Sequence, residues 1–145
     1  MSLAHHETFA TAINCMDGRS IRAVMQWFEK ELGIQYVDMP TDAGAVKNCD
    51  CFTEEDLEKM RFRVRDVSVG MHKSRHVAIV AHEHCAGNPV EKAQQVLQVQ
   101  KYIDIVRGWF DDQSEIEVFG MWVEPDANGK WFAERIPATS YEIAA

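Results

Sequence analysis

The chain has 145 residues, 46% of them hydrophobic, and carries a formal net charge of −8. This length and composition predict a single folded domain over residues 1–145. The acidic balance argues against nucleic acid or an anionic membrane as a partner. The longest apolar runs are also far too short to cross a bilayer.

The first seven residues contain neither the basic region nor the apolar run of a secretion signal. We therefore expect a cytoplasmic protein. Its four cysteines would then be reduced thiols that are available to a metal ion.

Strand-like and helix-like segments alternate along the chain. Apolar runs bounded by turn residues predict strands at Phe9–Asn14, Ile34–Met39, Val77–Ala81, Ile116–Val123 and Lys130–Ile136. Helical spacing predicts helices over Ser20–Leu32, Thr53–Met71 and Pro89 to about Phe110, with a loop at Thr41–Val46. This order predicts an α/β fold: a mostly parallel four-stranded sheet with an added antiparallel edge strand and helices on both faces.

The segment Thr53–Met71 contains both a strand-like and a helix-like pattern. Residues Met60–Arg65 alternate apolar and basic side chains, as in a half-exposed strand. The acidic start after Thr53 and the longer helical pattern favour a helix.

Two short clusters contain the residues suited to chemistry, at positions 15–19 (Cys-Met-Asp-Gly-Arg) and 82–85 (His-Glu-His-Cys). Each cluster follows directly on an apolar run. Parallel strands deliver such residues to the carboxyl edge of the sheet, where open α/β folds build their sites. Two thiols and an imidazole meeting there would form a soft three-ligand site that suits zinc and leaves a fourth position for water.

The two motifs, in this order and at strand ends, resemble the zinc site of the β-class carbonic anhydrases. The loop at positions 42–45 (Asp-Ala-Gly-Ala) follows the second strand, where that family has an Asn-Ala-Gly loop. The resemblance extends over about residues 9–123. It implies that zinc is bound by Cys15, His82 and Cys85, and that Asp17 and Arg19 form a catalytic carboxylate–guanidinium pair beside the metal.

The activity implied by this resemblance is that of a zinc lyase, the reversible hydration of carbon dioxide to bicarbonate by a zinc-bound hydroxide. In that mechanism, Asp17 accepts the hydroxide proton and orients the attacking oxygen, while Arg19 keeps the carboxylate ionised. The implied partners are a small-molecule substrate and a second copy of the chain, in a homodimer or a higher homo-oligomer.

Three other interpretations use overlapping residues. The same site could hydrolyse carbonyl sulfide or carbon disulfide. Asp17 could fill the fourth metal position permanently and leave a zinc-binding protein without activity, or it could only cap the following helix.

The third interpretation is a closed structural site of three cysteines and one histidine. Cys49 and Cys51 would join His82 and Cys85, and Cys15 would be left out. We expect instead that Cys49 and Cys51 are free thiols in a nearby loop. His84 could replace His82 as the ligand or shuttle protons, but an exposed or hydrogen-bonded histidine is the favoured interpretation.

Overall fold

The structure, a computed structural model, describes residues 7–144 and has an α/β fold. The described residues form six strands: β1 (Phe9–Cys15), β2 (Tyr36–Asp38), β3 (Thr41–Asp42), β4 (His76–His82), β5 (Glu117–Pro125) and β6 (Trp131–Arg135). The α-helices are α1 (Gly18–Leu32), α2 (Glu54–Arg61), α3 (Lys92–Gly108) and α4 (Ala138–Ala144). A 3-10 helix covers Ala45–Asp50, and a π-helix covers Phe62–Met71.

Five of the strands follow one another in the sheet in the order β2-β1-β4-β5-β6, and the sixth, β3, pairs with β1. Strands β2, β1, β4 and β5 are parallel, and β6 pairs with β5 in the antiparallel direction. The predicted sheet, four parallel strands with an antiparallel edge strand, is therefore confirmed.

Helices cover both faces of the sheet, because side chains alternate along each central strand. In β1, Ile13 packs with the core on the side of α3, whereas Ala10 and Ala12 face the opposite side. On that second side the small alanines leave room for Phe28 of α1, which is fully buried. The prediction of helices on both faces is confirmed.

The structure differs from the predicted elements mainly between the second and third long strands. The short β3 lies in the predicted loop, because β1 extends beyond β2 and pairs with Thr41–Asp42. The predicted helix over 53–71 begins as α2 behind a capping box of Thr53 and Asp56 and continues as the π-helix. The 3-10 helix and α4 had not been predicted. Both are only six or seven residues long, too short for a clear periodic signal.

None of the helices in residues 7–144 has the length and apolar character that a membrane crossing would need.

Candidate metal centre

Strands β1 and β4 end side by side and bring the two sequence clusters together. Ile13 is paired with Ile79 in the sheet, so Cys15 and His82 both terminate their strands at the same edge. The Cys15, His82 and Cys85 side chains are buried, and their ligand atoms all lie within 4.8 Å of one another. Within residues 7–144, this is the one group of three or more such side chains that could hold a metal ion.

The two nitrogens of the His82 ring have different surroundings. Its Nδ1 lies 2.8 Å from the carbonyl oxygen of Glu83. Because a carbonyl only accepts, Nδ1 carries the proton, and Nε2 is left with a lone pair. Nε2 is buried and has no hydrogen-bond partner among the described residues. Leaving such an atom unsatisfied costs about 1–3 kcal/mol, and a metal ion would satisfy it.

The two thiols lie close enough to share one ion. The Sγ atoms of Cys15 and Cys85 are 3.9 Å apart, and the backbone N–H of Gly44 donates to Cys15 Sγ at 3.3 Å. Burial, together with the neighbouring Cys15, raises the pKa of the Cys85 thiol. A bound dication would reverse this effect, since it stabilises thiolates and removes their mutual repulsion. The donor set therefore fits a soft divalent metal such as zinc.

Asp17 and Arg19 form a bidentate ion pair beside the three metal donors. Arg19 Nη2 donates to Asp17 Oδ2 at 2.6 Å, and Nε donates to Oδ1 at 3.0 Å. This hydrogen bonding lowers the pKa of Asp17 to about 2. Asp17 also caps α1 by accepting the backbone N–H of Arg19 at 2.9 Å. Asp17 is therefore both the cap of α1 and an ionised carboxylate paired with Arg19.

Trp131 lies against this ion pair, and sequence reasoning had missed it. The Arg19 guanidinium carbon is 4.4 Å from the centroid of the indole ring. The same ring lies 6.4 Å from the His82 ring in an edge-on arrangement. A groove of about 660 Å³ opens here, lined in part by Asp17, Arg19 and Trp131. Nothing in the spacing of Trp131 from the two motifs indicates this contact, which depends on the pairing of β6 with β5.

Two buried polar residues behind the metal donors had also been missed. Gln95 of α3 donates from Nε2 to the backbone carbonyl of His82 at 3.0 Å. Ser20 donates to Asn14 Oδ1 at 2.7 Å and so joins the start of α1 to the end of β1. The only signal in the sequence was weak. These polar residues occupy positions that helical or strand spacing directs toward the core.

The remaining candidate residues lie outside the group of metal donors. His84 is exposed and adopts a positive φ of 55°, which agrees with the favoured interpretation of that residue. Cys49 is buried in the 3-10 helix, where burial raises the pKa of its thiol to about 12, and Cys51 is exposed. Both are free thiols. The described chain thus does not assemble the closed site of three cysteines and one histidine.

Two solved structures resemble this fold at low sequence identity. One is the β-carbonic anhydrase isoform I of Trichomonas vaginalis, with 16% identity, a TM-score of 0.43 and coverage of 92% of this chain and 86% of that chain. The other is the β-carbonic anhydrase CafA of Aspergillus fumigatus, with 14% identity, a TM-score of 0.43 and coverage of 96% and 81%. No curated protein sequence matches the chain significantly.

A family model described as "Putative carbonic anhydrase" matches residues 5–136, which is most of the chain. The match includes both motifs and the loop between them. It confirms the family resemblance inferred from those motifs, and the chain therefore belongs to this carbonic anhydrase family.

Proposed function

We propose that this protein is a zinc-dependent carbonic anhydrase that interconverts carbon dioxide and bicarbonate. The observation that carries the proposal is the buried, unpartnered Nε2 of His82, in a ring that places a nitrogen within 4.8 Å of the thiols of Cys15 and Cys85. Membership of the carbonic anhydrase family supports the same activity. The proposed metal ligands are Cys15, His82 and Cys85, and the proposed catalytic residues are Asp17 and Arg19.

The donor set supports a catalytic rather than a structural metal. Structural zinc sites usually complete four protein ligands, whereas the group described in residues 7–144 has three. Two thiolates would neutralise the dication, and His82 would add a neutral nitrogen. When bound, zinc supplies a Lewis acid that lowers the pKa of water and makes a nucleophile available near neutral pH.

Asp17 is suited to orient the attacking water. Held ionised by Arg19, its carboxylate has no proton to give and can accept a hydrogen bond from the water. The carboxylate would thereby direct the oxygen lone pair toward the carbon of carbon dioxide. The bidentate contact with Arg19 also engages both carboxylate oxygens. It therefore supports a metal site that Asp17 does not close.

The test is metal analysis of the purified full chain combined with stopped-flow measurement of carbon dioxide hydration. We expect one zinc per chain and rapid hydration, with both lost in Cys15→Ser. The matched control is Cys51→Ser, because Cys51 is exposed and outside the donor group. Bound zinc without hydration of carbon dioxide would refute the proposal. Carbonyl sulfide and carbon disulfide are tested in parallel, and turnover of either one alone would identify a related hydrolase instead.

A further inference from the structure

The indole ring of Trp131 contacts the ion pair on the side that faces the groove. We propose that Trp131 is a positioning residue, which holds the Arg19 guanidinium in the orientation that pairs with Asp17. The kinetic part of this inference rests on the proposed carbonic anhydrase function. The structural part concerns the metal-free protein and can be tested without an activity assay.

Two contacts define the position of Arg19. The N–H edge of its guanidinium donates to both oxygens of Asp17, at 3.0 Å from Nε to Oδ1 and at 2.6 Å from Nη2 to Oδ2. The guanidinium also lies over the Trp131 ring, with its carbon 4.4 Å from the ring centroid. The hydrogen bonds to Asp17 alone would allow the guanidinium to tilt about them. The contact with the ring restricts that movement, and an aromatic ring also attracts the cation electrostatically.

Arg19 needs this support because its side chain is 47% exposed. An ion pair in such a position gains little in water and loses side-chain entropy when it is held in one geometry. A neighbouring aromatic face reduces the number of rotamers available to the unpaired arginine. It therefore favours the bidentate geometry over the alternatives.

The fold positions Trp131 independently of Arg19. Trp131 begins β6 and pairs with Pro125 of β5, after a turn in which Asp126 N–H donates to the Lys130 carbonyl at 2.8 Å. Gly129 has a positive φ of 81° and allows the chain to reverse. The ring also packs against the apolar core beneath α1. Trp131 is therefore a fixed support, and Arg19 is the side chain that responds to it.

The same side of the sheet offers a matched control. Trp27 of α1 is also partly buried, and its ring also carries a guanidinium, that of Arg135, at 5.4 Å. Arg135 pairs with Glu117, at the opposite end of β5 from the metal donors. Trp27→Leu thus removes a comparable ring without touching the ion pair beside Cys15 and His82.

The first experiment is NMR of the metal-free, ¹⁵N-labelled protein. The Arg19 Nε–H lies near the indole ring and should show a ring-current shift, with exchange slowed by the hydrogen bond to Asp17. We expect Trp131→Leu to remove the shift and speed exchange. Trp131→Phe should retain part of both effects, and Trp27→Leu should leave them unchanged. An unaltered Arg19 signal in Trp131→Leu would overturn the proposal, whether or not the protein hydrates carbon dioxide.

The second experiment is a kinetic double-mutant cycle. We expect Trp131→Leu to lower kcat about 3- to 30-fold, the range that one cation–π contact corresponds to, with bound zinc unchanged. Trp131→Phe should recover most of the rate. In an Arg19→Ala background, Trp131→Leu should have almost no further effect, because it acts through Arg19. Additive losses would contradict the proposal. If the wild-type protein binds zinc without hydrating carbon dioxide, the proposed function fails and the NMR result alone decides the role of Trp131.

Discussion

Gly44 and Gly87 pack backbone against backbone beside the candidate metal centre. A Cβ atom added to Gly44 would lie 2.6 Å from the carbonyl carbon of Gly87, and one added to Gly87 would lie 2.7 Å from the amide nitrogen of Gly44. The contact joins the loop that donates to Cys15 Sγ with the loop that carries Cys85. Lys47 reinforces it by donating to the Gly87 carbonyl at 2.6 Å. The distance between the two thiols therefore depends on this pair of glycines.

We expect Gly87→Ala to separate the two loops and weaken metal binding. A methyl group there meets only backbone atoms, which cannot rotate away, so a loss of about 1–3 kcal/mol in stability is expected from overpacking. Zinc affinity and the urea midpoint measure the two effects. Gly108→Ala is the control, because an added Cβ there has no neighbour within 4 Å. Unchanged zinc affinity in Gly87→Ala would show that the loops tolerate separation.

The paired residues Asp17 and Arg19 give the most direct test of the proposed catalytic site. We expect Asp17→Asn and Arg19→Ala each to lower the hydration rate by about 10²-fold, as for loss of a proton-handling group, while zinc stays bound. Lys30→Ala removes an exposed charge from the last turn of the same helix, away from the groove, and serves as the control. Full activity in both variants would leave Asp17 with the role of a helix cap only.

Removal of the metal should destabilise the folded protein. A ligand that binds only the folded state stabilises it by about 2.7 kcal/mol at a free concentration of 100 times Kd. We therefore expect a chelator to lower Tm in the wild-type protein and in Cys51→Ser, and to have no effect in His82→Ala. A chelator effect on Tm in His82→Ala as large as that in the wild-type protein would argue against His82 as a ligand.

Glu117 lies away from the candidate metal centre, and its hydrogen bonds predict a loss of stability in acid. Hydrogen bonding to Arg135, at 3.0 Å, and to His76 lowers the pKa of its carboxyl from the usual 4.5. Since the pKa of Glu117 is lowered in the folded protein, its contribution to stability is fully present above pH 4.5. That contribution is lost as the pH falls through the lowered pKa of the folded state. In the metal-free protein, the urea midpoint of wild type should exceed that of Glu117→Gln at pH 7, and the difference should shrink on acidification. A constant difference would show that the carboxylate charge is not involved.

A homodimer remains a prediction from the family resemblance and from the edge of the sheet. Among residues 7–144, β2 is the last strand on its side of the sheet order, and Tyr36 at its start is 49% exposed. An uncovered edge strand can pair with another chain, and a closed dimer would protect it. Light scattering at micromolar concentration measures the mass directly. A monomer under those conditions would be evidence against the dimer.

Local patterns of residues were enough to predict the main strands and helices and the two site motifs. Cys15 and His82 follow long apolar runs, so their positions at strand ends could be read from the order of residues alone. Asp17 and Arg19 are two positions apart, and their pairing requires only the start of a helix. The family was likewise recognisable from two short motifs in a fixed order.

Contacts between residues far apart in the sequence could not be predicted in this way, because they depend on how the whole chain packs. The contact between Trp131 and Arg19 depends on the pairing of β6 with β5, and the contact between Gly44 and Gly87 depends on how two loops pack. Cys15 rather than Cys49 shares a site with Cys85 because parallel pairing of β1 and β4 fixes where both strands end. Local propensity does not encode such long-range distances, which follow from strand register and packing of the whole core.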